Sequence, residues 1–281
     1  MMDVAILMTA HDRREETLSC LMDCHREADA MKAEGEYRFT IYLLDDGSTD
    51  GTAEAVSERF PDVKLTRSDG NLFWNRGMEE IWKTASREHD YDFYLWIKSR
   101  AKLCEGAFTS LLENSSFLRH KAIVAGTAAD RNGNLTYGGR TRYNRIIPPD
   151  PTIPVPCHTF DGCLVLVPSS VYGQLGNLDH IYRHRYGDRD YGVRAYKKDI
   201  TRVVCPGILC TCEKTRMVPL WRDSAYSLRQ RYRLINSISG RPFREQFVYD
   251  CRSMGFFRAV LHFFTLNLSV LFPVNTNRKL S

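Results

Sequence analysis

Few of this chain's 281 residues lie in long apolar runs. The longest such segment, residues 255–273 (GFFRAVLHFFTLNLSVLFP), is interrupted by Arg258, His262 and Asn267. A spanning helix needs about 20 apolar residues, so this segment reads as too short and too polar to cross a bilayer. The opening MMDVAILMTAHD has only a brief apolar run and no cationic lead, so it reads as a first strand rather than a signal peptide. Internal repeats and low-complexity tracts are absent, and nothing points to a repeat architecture. The nine cysteines form an odd set without framework spacing. Only Cys20/Cys24 and Cys210/Cys212 are close in sequence, and neither has a partner pair for a zinc site. Reduced, buried thiols in a cytoplasmic protein are the expectation.

Strong net charge is also missing: the chain carries +5. That charge is unevenly placed. From residue 216 onward there are eleven Lys or Arg against three Asp or Glu, so the first 215 residues are slightly acidic. The basic surface belongs to the C-terminal part, and no feature calls for nucleic acid. The length suits one large α/β domain, or one domain with an appendage.

The most informative stretch is residues 39–52, FTIYLLDDGSTDGT. Six residues rich in β-branched and aromatic side chains read as a buried strand. The strand runs into Asp45 and Asp46, and Gly47 then permits a sharp turn. Ser48, Thr49 and Asp50 each offer an oxygen to cap the helix that follows. In an open α/β sheet, ligands bind beyond the carboxyl ends of the strands. A carboxylate there could accept an N–H from a pyrimidine or guanine edge, or bond a ribose hydroxyl.

The string DDGSTDGT after an apolar strand resembles the signature of the family 2 glycosyltransferases, which have the GT-A fold. The resemblance covers roughly residues 3–215. It implies a Rossmann-like, mostly parallel sheet flanked by helices over residues 1–215, with a basic helical appendage over 216–281. It also implies transfer of a sugar from a nucleotide-diphosphate sugar to a carbohydrate or lipid-linked acceptor, with inversion, as in cell-envelope polysaccharide or glycolipid synthesis.

In such an enzyme Asp46, and beside it Asp45, would meet the donor's base or ribose. The loop after the first strand wraps the nucleotide, so Thr9 and His11 would touch base or ribose, and Arg13 or Arg14 would reach the diphosphate. The next block, GNLFWNRGM, would line the cleft with Asn71 and Arg76, with Phe73 and Trp74 serving as packing. Residues 160–168 resemble the strand behind the donor sugar, where Asp161 or the Gly162 backbone would face the sugar. The block HRYGDRDYGVR resembles the acidic motif at a helix start. Asp188 matches the general base that takes the acceptor hydroxyl's proton. Asp190, two residues on, caps the helix or orients a partner of that base.

One element departs from the pattern. After the strand YDFYLWI, the family places paired aspartates whose last carboxylate binds Mn²⁺ or Mg²⁺. Here the aligned positions are Ser99 and Arg100, between Lys98 and Lys102. A hard divalent cation wants carboxylate oxygens. Three readings stay open: Lys98 and Arg100, with Lys102, supply positive charge to the diphosphate in place of metal; the chain is a non-catalytic nucleotide-sugar-binding or assembly subunit; or other carboxylates hold Mn²⁺ or Mg²⁺. A nucleotidyltransferase is a more distant alternative, since it would need acidic metal ligands on adjacent strands.

Elsewhere the patterns predict helices over 13–33, 52–60, 74–87, 106–118 and 169–176, and a hairpin across 121–138. They also predict a proline-rich surface loop over 146–156, a last short strand over 201–204 and a turn at 205–207. Residues 213–216 would close over the donor. The tail reads as one helix over 221–239 and a second helical stretch after Phe243. Its end, 255–273, fits an interfacial helix on the inner face of the cell membrane, or a helix packed on its own domain or on a second copy in a homo-oligomer.

Overall fold

Apolar segments that alternate with helical ones build the core of the computed structural model, which describes residues 1–32, 35–214 and 219–273. The first half consists of β1 (Met2–Ala10), α1 (Arg14–Lys32), β2 (Tyr37–Asp45), α2 (Thr52–Arg59), β3 (Lys64–Arg67), α3 (Phe73–Glu88) and β4 (Phe93–Lys98). Its four strands pair in parallel in the order β3-β2-β1-β4. β1 lies between neighbours with both faces covered, which is why Val4 to Met8 form an unbroken apolar run. Side chains still alternate across it. Val4, Ile6 and Met8 enter one core with Leu21 and Phe108, while Ala5 and Leu7 enter the other with Trp82 and Trp96. The two indoles meet nearly edge to face at 5.1 Å, a geometry that contributes about 0.5–1.5 kcal/mol beyond burial.

The sheet then becomes mixed. Next come β5 (Lys102–Leu103), α4 (Ala107–Phe117), β6 (Ala122–Ala129), β7 (Leu135–Tyr137), β8 (Gly139–Arg140), β9 (Val155–Pro156) and β10 (Thr159–Phe160). β11 (Leu164–Pro168), α5 (Ser169–Leu175), α6 (Gly187–Lys197) and β12 (Thr201–Thr211) follow. β11 inserts antiparallel between β4 and β6, and β12 lies parallel to β6. The predicted hairpin is β6 with β7. The α/β, mostly parallel sheet flanked by helices is therefore as expected.

Three local expectations are corrected. The turn at 205–207 does not end the last strand: β12 continues to Thr211 through two register shifts, with Gly207 at φ 70° absorbing the irregularity. The proline-rich stretch is not all loop, because Val155–Pro156 pairs with β12 and Ile146 bridges to Arg140. The tail helix over 221–239 is broken. A 3₁₀ turn at Leu220–Arg222 precedes α7 (Leu228–Ile235), which Ser227 and Gln230 close at its start with a capping box. The following stretch splits into α8 (Phe243–Met254) and α9 (Phe256–Leu271) at Gly255, whose φ of 88° a side chain would resist.

The chain forms two compact units, residues 1–180 with 187–214, and residues 181–186 with 215–281. The second unit thus includes Ile181–Tyr186, tied to it by Arg183 on Glu245 at 2.7 Å and by the Tyr186 hydroxyl on Gln246 at 2.6 Å. Among the described residues no helix is long and apolar enough to cross a membrane.

Candidate functional site in the α/β unit

The loops at the carboxyl ends of β1 and β2 are latched to each other. Asp12 accepts the Thr49 backbone N–H at 2.7 Å, the Ser48 hydroxyl accepts that of Asp12 at 3.0 Å, and Asp50 accepts that of Arg14 at 2.9 Å. Ser48 and Thr49 therefore bond Asp45 and Asp12 rather than capping α2. Of Ser48, Thr49 and Asp50, only Asp50 accepts a first-turn N–H of α2, that of Thr52 at 3.0 Å, and the N-cap itself is Gly51, without a side-chain cap. Gly47 is required by contact as well as conformation. A Cβ there would lie 2.6 Å from the Gly70 nitrogen, so the two glycine turns meet backbone to backbone.

Asp46 is buried and fully engaged. One carboxylate oxygen accepts the Ser68 hydroxyl at 2.6 Å and the Leu72 N–H at 3.1 Å, and the other accepts the Phe73 N–H at 2.7 Å. It fastens the start of α3, where Phe73 sits at φ 57°, an unusual conformation for a bulky residue. His11 donates from Nδ1 to the Asp46 carbonyl at 2.6 Å. Of the other donor-side residues, Thr9 packs toward Gly77, Arg13 pairs with Glu16, Asn71 is exposed, and Arg76 donates to the His180 carbonyl. Arg13 and Asn71 thus lie on the surface, while Arg76 supports the backbone before residue 181.

α3 connects this corner to the acidic block. Its Trp74 ring lies over Gly162, where a Cβ would come within 2.6 Å of the indole and 3.2 Å of the Asp188 Cβ. Gly162 donates its N–H to Asp188 at 2.8 Å, and the other Asp188 oxygen accepts the Arg189 N–H at 2.8 Å. Asp188 sits in the first turn of α6, where backbone donors and the helix dipole favour a negative charge. Asn75, also on α3, abuts Gly187 so closely that a Cβ there would fall 1.5 Å from its side-chain oxygen. Asp190 is wholly buried and pairs with Arg194, one turn on along α6, at 3.1 Å.

Cations surround these acids. Lys98, at the end of β4, holds its ammonium 4.0 Å from the Tyr137 ring centre and 5.8 Å from that of Trp74. Burial pulls the Lys98 pKa down, but Tyr137, Cys163 and Asp188 outweigh it and leave it above the ordinary lysine value. Arg100 donates to the Tyr137 hydroxyl at 2.7 Å. Asp161 is buried against Arg140 at 2.7 Å and Arg189 at 3.2 Å. Burial pushes its carboxyl up, but these guanidiniums prevail and hold it below the usual range. Lys214 joins them: partial burial and the charges of Arg140, Arg189 and Lys98 pull its pKa down, against Asp161. The sequence reading missed Arg140, Arg189, Tyr137 and Lys214. Arg189 stands inside the acidic block, while Arg140 and Lys214 lie in segments without a motif. Lys102 is exposed on β5. Of the proposed closing segment, Thr215 and Arg216 lie outside the described residues, and Glu213 accepts the Arg131 N–H.

No protein-family profile and no curated protein matches the chain by sequence. Solved structures do match. A mannosyltransferase from Pyrobaculum calidifontis, in complex with GDP-Man and Mn²⁺, superposes with a TM-score of 0.53 and 16% identity, covering 95% of this chain and 72% of that one. Residues 1–349 of S. aureus TarS, in complex with UDP-GlcNAc, give 0.56 and 13%, covering 94% and 73%.

The fold is GT-A.

The resemblance expects metal-binding carboxylates at Ser99 and Arg100, after Lys98 at the end of β4. The residues present do not fit a divalent cation. Asp161 is engaged by two arginines, Asp188 by two backbone N–H groups, and the side chains flanking Ser99 are cationic. Among the described residues, no three His, Cys, Asp or Glu side chains gather for a metal.

Proposed function

We propose that this protein is an inverting glycosyltransferase that takes a sugar from a nucleotide-diphosphate sugar, with cationic side chains in the place of metal at the diphosphate. The observation that carries the reading is a helix-start carboxylate, Asp188, held by the Gly162 N–H next to Asp161 with its Arg140 and Arg189 partners, with Lys98 against Trp74 and Tyr137, inside a GT-A fold. The solved neighbours named above hold GDP-Man and UDP-GlcNAc, which supports a guanine or uracil diphosphate donor here.

The base and ribose would lie against the latched loops, near Thr9, His11, Asp45 and Asp46. Asp46 acts there mainly by fixing the start of α3. The diphosphate would face Lys98 and Arg100, whose fixed positive charge offsets the charge that develops as the nucleoside diphosphate leaves. Gly162, covered by Trp74, would hold Asp188 in place through its N–H beside the sugar. Asp188, oriented by two N–H donors, would accept the acceptor hydroxyl's proton as that oxygen attacks the anomeric carbon opposite the leaving group. Asp161 orders Arg140 and Arg189, and Asp190 steadies α6 through Arg194.

For the second unit we propose attachment to a membrane surface through α9, in line with a lipid-linked acceptor and a cytoplasmic-side location. Phe257, Leu261, Phe264 and Leu268 are exposed in steps of four, three and four residues, which puts them on one helix face.

Transfer or hydrolysis of UDP- and GDP-sugars by purified protein, with Mn²⁺ and with EDTA, tests the reading. Turnover that survives EDTA supports the cationic site. Tight nucleoside diphosphate binding without turnover under any condition would favour a non-catalytic binding subunit, and pyrophosphate release from a nucleoside triphosphate would favour a nucleotidyltransferase.

A further inference from the structure

The helical unit contains a cleft of about 330 Å³ whose walls include Arg185, Arg222, Arg241, His262, Thr265 and Ser269. No carboxylate is part of its lining. Each cation is brought there by a distinct local device. Arg222 closes the 3₁₀ turn after Pro219. Arg241 follows Gly240, which must lack a side chain because a Cβ would sit 2.3 Å from the carbonyls of Leu234 and Ile235. Arg185 donates to the Gly240 carbonyl at 2.8 Å and so braces that turn.

His262 is oriented from behind. Its Nδ1 meets buried Asp250 at 2.7 Å, Asp250 accepts from Gln246 at 2.8 Å, and Gln246 accepts from the Tyr186 hydroxyl at 2.6 Å. A chain of buried polar groups that fixes one imidazole is costly to assemble unless every member is satisfied. Here it positions a ring nitrogen in a wall of guanidiniums.

The same helix carries the exposed apolar stripe. His262, Thr265 and Ser269 line the cleft, and Phe257, Leu261, Phe264 and Leu268 are 49–87% exposed. At 3.6 residues per turn the two rows point roughly 100° apart, so they adjoin along one side of α9. Arginine forks match phosphate oxygens, hydroxyls add donors, and the volume accommodates one or two phosphoryl groups. An anion that enters from bulk water would gain nothing from the stripe, whereas one attached to a hydrocarbon chain would gain from both rows.

We propose that this cleft binds the terminal phosphate or diphosphate of a membrane lipid, whose hydrocarbon chain continues along the α9 stripe into the bilayer. This deepens the membrane reading of the second unit and does not depend on the transferase reading of the first.

The test is flotation of the full-length protein with three kinds of vesicle: phosphatidylcholine alone, phosphatidylcholine with phosphatidic acid, and phosphatidylcholine with phosphatidylglycerol at the same anionic fraction. Phosphatidic acid exposes a phosphomonoester, and phosphatidylglycerol only a diester. The wild type should prefer phosphatidic acid, and inorganic pyrophosphate should compete. The double variant Arg222→Gln/Arg241→Gln should lose at least roughly tenfold in phosphatidic acid binding while its binding to phosphatidylcholine alone is unchanged, which also reports that it is folded. Arg222→Lys/Arg241→Lys, with charge kept and forks removed, should fall in between. Arg229→Gln/Arg233→Gln, which alters exposed α7 arginines outside the cleft, should bind as the wild type does. Equal loss in that control, or equal binding to the two anionic vesicles, would reduce the effect to diffuse surface charge and overturn the proposal. Pyrophosphate binding without any preference for phosphatidic acid vesicles would make this a soluble-phosphate site and overturn the lipid assignment. Loss of neutral-vesicle binding in Phe257→Ser/Phe264→Ser reports on the membrane reading separately.

Discussion

The Gly162 backbone N–H donates to the Asp188 carboxylate across 2.8 Å, and the Trp74 indole covers the glycine so closely that no side chain fits between them. The bond joins the end of one core segment to the first turn of α6 and leaves the carboxylate little freedom to turn. As the proposed general base, Asp188 would thus be oriented before substrate arrives, which is what general base catalysis requires of geometry.

Asp188→Asn keeps the shape and one of the two backbone N–H bonds, on its single carbonyl oxygen, but removes the proton acceptor. Turnover should fall about 10²–10⁴-fold, the usual share of a general base, with donor affinity nearly unchanged. Steady-state kinetics together with calorimetric donor binding distinguish the two effects. Wild-type turnover in this variant would remove Asp188 from the chemistry.

Gly162→Ala should cost about 1–3 kcal/mol of stability, as overpacking does, because the new methyl meets the Trp74 ring at 2.6 Å. Trp74→Leu alone should be destabilising, yet it should relieve much of the Gly162→Ala penalty. A double-mutant cycle by denaturant unfolding checks this coupling, and strict additivity would contradict it.

Lys98→Met should weaken nucleoside diphosphate binding by tenfold or more, on the order of 1.4 kcal/mol, and the loss should not be restored by Mn²⁺. Tyr137, Cys163 and Asp188 outweigh burial and hold the Lys98 pKa above the ordinary lysine value, so the ammonium stays charged through the neutral and mildly alkaline range. Its contribution to donor affinity should therefore be flat there and disappear only in stronger alkali. Diphosphate affinity measured against pH, in wild type and Lys98→Met, reads this directly.

Arg140→Met removes the main partner of buried Asp161 and leaves Arg189 as its remaining salt bridge. Breaking a buried pair from one side costs about 3–5 kcal/mol. For Asp161 itself the folded carboxyl titrates below its unfolded value. Its stabilising contribution is thus complete above the unfolded pKa of about 3.9 and is lost as pH falls through the lower folded value. Thermal unfolding of wild type should lose this contribution only in strong acid, and the variant should be weakened at neutral pH as well.

Local chemistry made much of the fold legible. An apolar strand, two acids, a glycine and a Ser-Thr-Asp run occupy fourteen consecutive positions, and their turn and strand preferences act over that distance. The same holds for the acidic block at the start of α6 and for the hairpin β6–β7. Boundaries that depend on tertiary pairing were less legible. β12 runs past its glycine turn because β6 and β5 offer it partners, and the tail helices break where Ser227 caps and Gly255 turns.

By itself the sequence determined the α/β order, the loop chemistry at the ends of β1 and β2, and the cationic run of Lys98 and Arg100 around Ser99. Tertiary structure alone decided that Asp46 secures α3 and that Arg140 and Arg189 neutralise Asp161. It also decided that three separated arginines of the second unit, Arg185, Arg222 and Arg241, share one cleft. Such pairings join residues far apart in the chain, and their energies depend on burial and distance, which no local window of residues records.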